Sequence, residues 1–148
     1  MSDRRIHEGI KDVRFERQSI LSTIRLSGQQ VPLTFEGTLN KEIFAGYVRN
    51  QLAPTLDSDD TLVMDNSSVH KSKLVRETLD ELGIKVLFLP SYSPDFNPIE
   101  LMWAYVKAIL RKLKARTSET LIPALGYALS CVSQSLIAAW FLHCGFGL

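Results

Sequence analysis

The chain has 148 residues, 45% of them hydrophobic, and 17 basic against 16 acidic side chains leave a formal net charge of +1. That length and apolar share fit one domain with a real core, and the near-neutral balance argues neither for nor against a polyanionic partner. Two cysteines exclude a disulfide framework, and the longest strongly apolar run, Leu136 to Leu142, is far short of the roughly 20 residues that span a bilayer.

The opening MSDRRIHEGIKD is charged and lacks the apolar stretch of a secretory signal, so a soluble, cytoplasmic protein with reduced thiols and no membrane partner is expected. Residues 1–16 carry both charge signs without periodicity and read as a loose lead-in to a domain over 17–148. Arg17 to Gly37 looks like an antiparallel hairpin: RQSILSTIRL alternates, Ser27-Gly28-Gln29-Gln30 turns, and VPLTFEG returns. Asn40 is the expected N-cap of a helix that buries Ile43, Phe44, Tyr47, Val48 and Leu52. Asp57, Asp59 and Asp60 then read as a solvated turn.

TLVMD, residues 61–65, has the short apolar run of a buried parallel strand. A helix from about Val69 to Leu82, ended by Gly83, leads to a second buried strand in IKVLFLP. Strand, helix and strand in that order make one right-handed βαβ crossover. Pro94 and Pro98 keep SYSPDFNP out of helix and central strand. From Pro98 to about Ala115 a long helix is expected, with Leu101, Met102, Tyr105, Ile109 and Leu113 on its apolar side. Two shorter helices, over 117–130 and 133–143, follow. The expected fold is therefore a mixed α/β sheet flanked by helices. Cys131 and Cys144 read as structural rather than as metal ligands, because a fourth ligand at ordinary spacing is absent.

Two carboxylates carry the chemical interest. Asp65 closes a buried parallel strand, where α/β folds put their ligand sites, although capping the next turn would also explain it. Glu100 follows Asn97 and Pro98 as the third helical residue, a pattern that capping alone accounts for. A helix start delivered directly after a buried strand nonetheless swings Glu100 back across the sheet's carboxyl edge toward Asp65. Two carboxylates meeting there repel unless a hard divalent cation, Mg²⁺ or Mn²⁺, lies between them.

MDNSSVHK (64–71), LFLPSYSPDFNPIE (87–100), FEGTLNKEIF (35–44) and WFLHCGF (140–146) make the chain resemble the DDE transposases of the mariner superfamily, in their bacterial insertion-sequence branch. The 34 residues between Asp65 and Glu100 match the spacing that family favours. The resemblance implies an RNase H-like catalytic domain for DNA transposition. Three carboxylates would hold two divalent cations, Mg²⁺ or Mn²⁺, for in-line attack on a DNA phosphodiester. Asp65 would be the second acid and Glu100 the third, both metal ligands. Asn66, His70 and Lys71 would line the site or its DNA approach, and His70 could equally be structural. The basic side of the Pro98 helix, with Lys107, Arg111 and Lys114, would face DNA phosphates. Transposon ends and target DNA are the implied partners, with a homo-oligomer in the active state and a place on the nucleoid.

One departure is expected to matter. The family's first catalytic Asp lies on a strand before the hairpin, and Asp3, Glu8 and Asp12 do not match it. The first, central strand is therefore expected to be missing, along with the helix-turn-helix region that precedes such domains. The hairpin would then pair directly with the Asp65 strand or leave a groove for another chain. The chain reads as a truncated or split-gene transposase fragment, inactive alone, with an upstream-encoded N-terminal fragment as a partner. The alternative is a non-catalytic RNase H-like remnant that binds DNA or a subunit. A receiver-type domain with Asp65 as phosphoacceptor fits the LVMD strand and leaves PSYSPDFNPIE unexplained.

Overall fold

A computed structural model describes residues 5–9, 14–15, 18–89, 97–114 and 118–146. Its strands are β1 (Arg5–Gly9), β2 (Arg14–Phe15), β3 (Gln18–Arg25), β4 (Leu33–Glu36), β5 (Thr61–Met64) and β6 (Lys85–Phe88). The helices are α1 (Lys41–Tyr47), α2 (Lys73–Glu81), α3 (Pro98–Leu113), α4 (Ser118–Ser130) and α5 (Gln134–His143).

β1 occupies the centre of the sheet. It pairs antiparallel with β3, Ile6 opposite Arg25 and Gly9 opposite Ser22, and parallel with β5, Arg5 opposite Thr61 and His7 opposite Val63. β6 continues the parallel part beside β5. β2 and β4 both pair with Gln18 and Ser19 and so lie on opposite edges of β3. This corrects two expectations. Part of the lead-in is a strand, and the central position is filled from within the chain rather than left as a groove. The reason is hydrogen bonding: β3 and β5 each present a row of backbone groups that another extended segment must satisfy, and Arg5–Gly9 does so despite its polar composition.

The β3–β4 hairpin forms as expected. Gly28 lies at its turn with φ 104°, and its position abuts α5: a Cβ there would stand 3.1 Å from the Gln134 Cβ. Glycine is needed on both counts. Gln134 Nε2 donates to the Leu26 carbonyl at 3.1 Å, tying the turn to α5.

Helices cover both faces of the sheet. Leu62 and Met64 of β5 and Leu21 of β3 pack with Phe44, Ala45, Tyr47, Val48, Leu52, Val75 and Leu79 from the α1–α2 side. Ile20 and Ile24 of β3 pack with Ile99, Met102, Trp103, Val106 and Leu110 of α3 and with residues of α4 and α5. Asn40 caps α1 as expected, its side chain accepting the Ile43 N–H at 2.8 Å. A wider π-type turn over Val48–Leu52 and a 3₁₀ turn over Ala53–Thr55 then carry the chain toward β5.

Four further local expectations need correction. α2 starts at Lys73, because Ser72 rather than the preceding loop caps it, accepting the Val75 N–H at 3.3 Å. Its end is as expected: Gly83 takes φ 69°, and the Gly83 and Ile84 N–H groups return to Asp80 and Leu79 carbonyls. β6 alternates in exposure and leaves Leu87 44% exposed. Its outer edge has no partner strand among the described residues, and Val86 and Phe88 pack toward the α1–α2 core while Leu87 faces the other way. The buried stripe of α3 is Ile99, Met102, Trp103, Val106 and Leu110, while Leu113 is exposed; the largest ring, Trp103, sets the face.

The fourth correction concerns the acidic loop. Asp57 and Asp59 are exposed, but Asp60 is buried. Arg25 Nη1 and Nη2 donate to its two carboxylate oxygens, each at 2.8 Å, and Asp60 Oδ2 also accepts the Asp57 N–H at 2.9 Å. Arg25 lies opposite Ile6, and Asp60 immediately precedes Thr61, which lies opposite Arg5. The pair therefore bridges β3 and the approach to β5 across the amino end of β1. Cys144 is buried and Cys131 half-buried, and neither forms a disulfide. Among the described residues no single helix is long and apolar enough to cross a membrane.

Candidate active site

Asp65 is the first residue beyond β5. Alternation along that strand sends Leu62 and Met64 into the α1–α2 core and turns Val63 to the opposite face, and Asp65 follows where the strand ends. The Asp65 side chain is 38% exposed. Its Oδ1 accepts the Ser67 N–H at 3.2 Å, an Asx turn that bends the chain off the strand. The loop then closes on itself: His70 N–H reaches Ser67 Oγ, Lys71 N–H the Ser67 carbonyl, and Ser72 N–H the Val69 carbonyl.

His70 is the surprise of this loop. It is fully buried, with its ring 4.7 Å from that of Phe44, centroid to centroid. Its Nδ1 lies 2.9 Å from Asp65 Oδ1 and 3.0 Å from the Asp65 carbonyl oxygen. A side chain enclosed in this way matches the structural alternative expected for His70, while its Nδ1 faces the Asp65 carboxylate. The apolar enclosure by Phe44, a residue far away in sequence, is what the sequence does not display. Asn66 is half-buried and Lys71 exposed on the same loop.

Glu100 is half-buried in the first turn of α3. Asn97 is the N-cap, its side chain accepting the Ile99 N–H at 3.2 Å, and Pro98 takes the first helical position. Asn97, Pro98 and Ile99 are all buried, which fixes the start of the helix. The turn over residues 90–96, expected to deliver this helix start, lies outside the described residues. α3 packs against β1 and β5 pairs with β1, so the elements bearing the two acids share the central strand. The register of β1 on β5, continued by two residues, brings Gly9 level with Asp65.

Farther along α3, Lys107 is half-buried, and Arg111 and Lys114 are exposed. Lys114 ends the helix with φ 53°. Among the described residues, no three His, Cys, Asp or Glu side chains gather into a metal-binding group. The donors present, two carboxylates of which one is open to solvent, are the oxygen type that Mg²⁺ and Mn²⁺ take.

A central strand paired antiparallel to a hairpin and parallel to a βαβ unit, with helices on both faces, is the RNase H-like arrangement. A crystal structure of the catalytic domain of the Mos1 mariner transposase superposes with a TM-score of 0.75 at 18% identity, covering 95% of this chain and 76% of that one. The same catalytic domain, solved with raltegravir and Mn, gives a TM-score of 0.74 at 19% identity over 96% of this chain and 78% of that one. The Mos1 paired-end complex with left transposon end gives 0.73 at 17% identity, over 95% of this chain and 52% of that one. The DDE superfamily endonuclease family matches residues 3–122, and the chain belongs to it. The Tcb2 transposase of a Caenorhabditis briggsae transposable element is 25% identical over 141 residues, 84% of this chain and 52% of that protein. The Tcb1 transposase of the same organism is 25% identical over 105 residues, 68% of this chain and 38% of that protein. The chain thus spans about half the length, or less, of the curated relatives it matches.

Proposed function

We propose that this chain is the catalytic part of a mariner-type DDE transposase, which cleaves and rejoins DNA phosphodiesters with divalent cations held by Asp65 and Glu100. The observation that carries the reading is Asp65: a half-exposed carboxylate at the carboxyl end of the strand beside the central one, inside a family match that spans both acids. Bound Mg²⁺ or Mn²⁺ would supply activation of the attacking water or 3′-hydroxyl and stabilisation of the leaving oxygen.

The chain's own residues do the rest. Asp65 is held through Oδ1, and Glu100 is held by the capped first turn of α3. Asn66 and Lys71 sit beside Asp65, where Lys71 is suited to a phosphate. Lys107, Arg111 and Lys114 form a basic run along α3 suited to the DNA backbone. Among the described residues Gly9, level with Asp65, supplies no carboxylate, and a site of two acids binds metal less tightly than one of three. Weak metal binding and slow or absent cleavage by the isolated chain follow from that count.

The test is Mn²⁺ binding to the whole chain, followed by electron paramagnetic resonance. Saturable uptake that Asp65→Asn and Glu100→Gln each reduce is expected, and Gly9→Asp should tighten it. Uptake indifferent to both losses would overturn the reading.

A further inference from the structure

We propose that His70 is a positioning residue for the Asp65 carboxylate, acting through a proton on Nδ1. The inference rests on the reading of Asp65 as a metal ligand, and the structural half of it stands on geometry alone.

Nδ1 faces two oxygens of one residue, Asp65 Oδ1 at 2.9 Å and the Asp65 carbonyl at 3.0 Å. Both are acceptors only, so the nitrogen between them carries the proton and donates to both. That bifurcated bond fixes the carboxylate relative to its own backbone. The Ser67 N–H, at 3.2 Å, is a longer second tie to the same oxygen. The His70 ring cannot drift, because it is fully buried against Phe44. Phe44 is itself 0% exposed, in a helix whose start is fixed by the Asn40 cap, and its ring lies 6.3 Å from that of Tyr47. A chain of contacts thus runs from α1 through Phe44 and His70 to Asp65. The carboxylate is gripped from the inside while its side chain stays open to solvent on the other. A capping role alone would need only the Asx turn. It would not need an imidazole driven into the core with its donor aimed at the carboxylate.

Hydrogen-bond donors behind a ligating carboxylate typically change metal affinity by about 10–100-fold when removed. His70→Asn keeps a donor near the Nδ1 position, while His70→Leu fills the space and removes it. Folding of both variants is checked by thermal melts. Mn²⁺ affinity close to wild type in His70→Asn and about 10–100-fold weaker in His70→Leu is expected. Equal affinity in His70→Leu and wild type would overturn the proposal.

A second measurement needs no metal. In ¹⁵N-histidine-labelled, metal-free protein, the His70 ring should report a protonated Nδ1 whose resonance moves in Asp65→Asn. An unprotonated Nδ1, or one indifferent to Asp65→Asn, would overturn the positioning role. If the wild-type chain takes up no Mn²⁺, the metal reading of Asp65 falls, and the nitrogen spectrum still decides what His70 does.

Discussion

Replacing Asp60 by asparagine removes the carboxylate charge from a buried pair with the Arg25 guanidinium while keeping the shape of the side chain. Only 2% of the Asp60 side chain and 11% of the Arg25 side chain meet solvent, and the pair is bidentate, with both N–O distances at 2.8 Å. Removing one member of a buried pair costs about 3–5 kcal/mol, most of it the cost of the abandoned charge rather than the net worth of the pair. In a domain near this size each kcal/mol moves the melting temperature by about 2–4 °C, so Asp60→Asn should lower it by about 6–20 °C. Urea unfolding followed by circular dichroism is the assay, with a lower midpoint and an unchanged slope expected. A loss below about 1 kcal/mol, the range of solvent-exposed pairs, would refute the reasoning. The double substitution Arg25→Met with Asp60→Leu should recover much of the single-variant loss, since apolar replacement of both partners removes the stranded charge.

Other outcomes follow from the same structure. Trp103→Ala, at the centre of the α3 stripe and 1% exposed, should cost about 3–5 kcal/mol in the same unfolding assay. The hydrogen bond and charge of Arg49, 2.7 Å from Glu81, hold the Glu81 carboxyl below its ordinary value of 4.5. A depressed carboxylate stabilises the fold above its ordinary value and loses that contribution as pH falls through the lowered one. The pair is exposed, so the contribution is small and screened by salt. Titration by NMR should find the Glu81 midpoint returning toward 4.5 in Arg49→Ala. Neutralising Lys107, Arg111 and Lys114 together should weaken duplex DNA binding irrespective of sequence. If all three face phosphates, the slope of log affinity against log salt should fall by roughly 0.9 for each phosphate that no longer meets a cation, and an unchanged slope would remove α3 from the interface.

Much of this fold is legible in the sequence because the signals are local. Asn40 and Asn97 cap helices where their spacing says they should, and Gly83 ends α2 in a left-handed turn that few other residues adopt. The hairpin and the βαβ unit are patterned by residues close in sequence. β1 is not legible, since RIHEG lacks the apolar run of a central strand and becomes one only through the backbone rows of β3 and β5. Asp60 is indistinguishable in DSDD from its solvated neighbours until Arg25, on another strand, is brought to it. The same holds at the candidate site. The position of Asp65 at a strand end can be read directly, whereas the burial of His70 depends on Phe44, contributed by a helix that precedes β5.

The bridge between Arg25 and Asp60 bears on the order of assembly. The β3–β4 hairpin, the β1–β3 pair and the β5–α2–β6 unit each close over short stretches of chain, whereas β1 and β5 pair across partners distant in sequence, Arg5 with Thr61 and His7 with Val63. Contacts of that range carry the loop-closure cost that slows folding. A buried ion pair spanning the same two halves at the amino end of β1 gives them a fixed separation, one strand wide. Whatever forms first, the sheet has only one register in which both the ion pair and the β1 ladder are complete. The consequence is kinetic: stopped-flow chevrons of Asp60→Asn should show slower folding to the extent that the pair is made in the transition state and faster unfolding to the extent that it forms later.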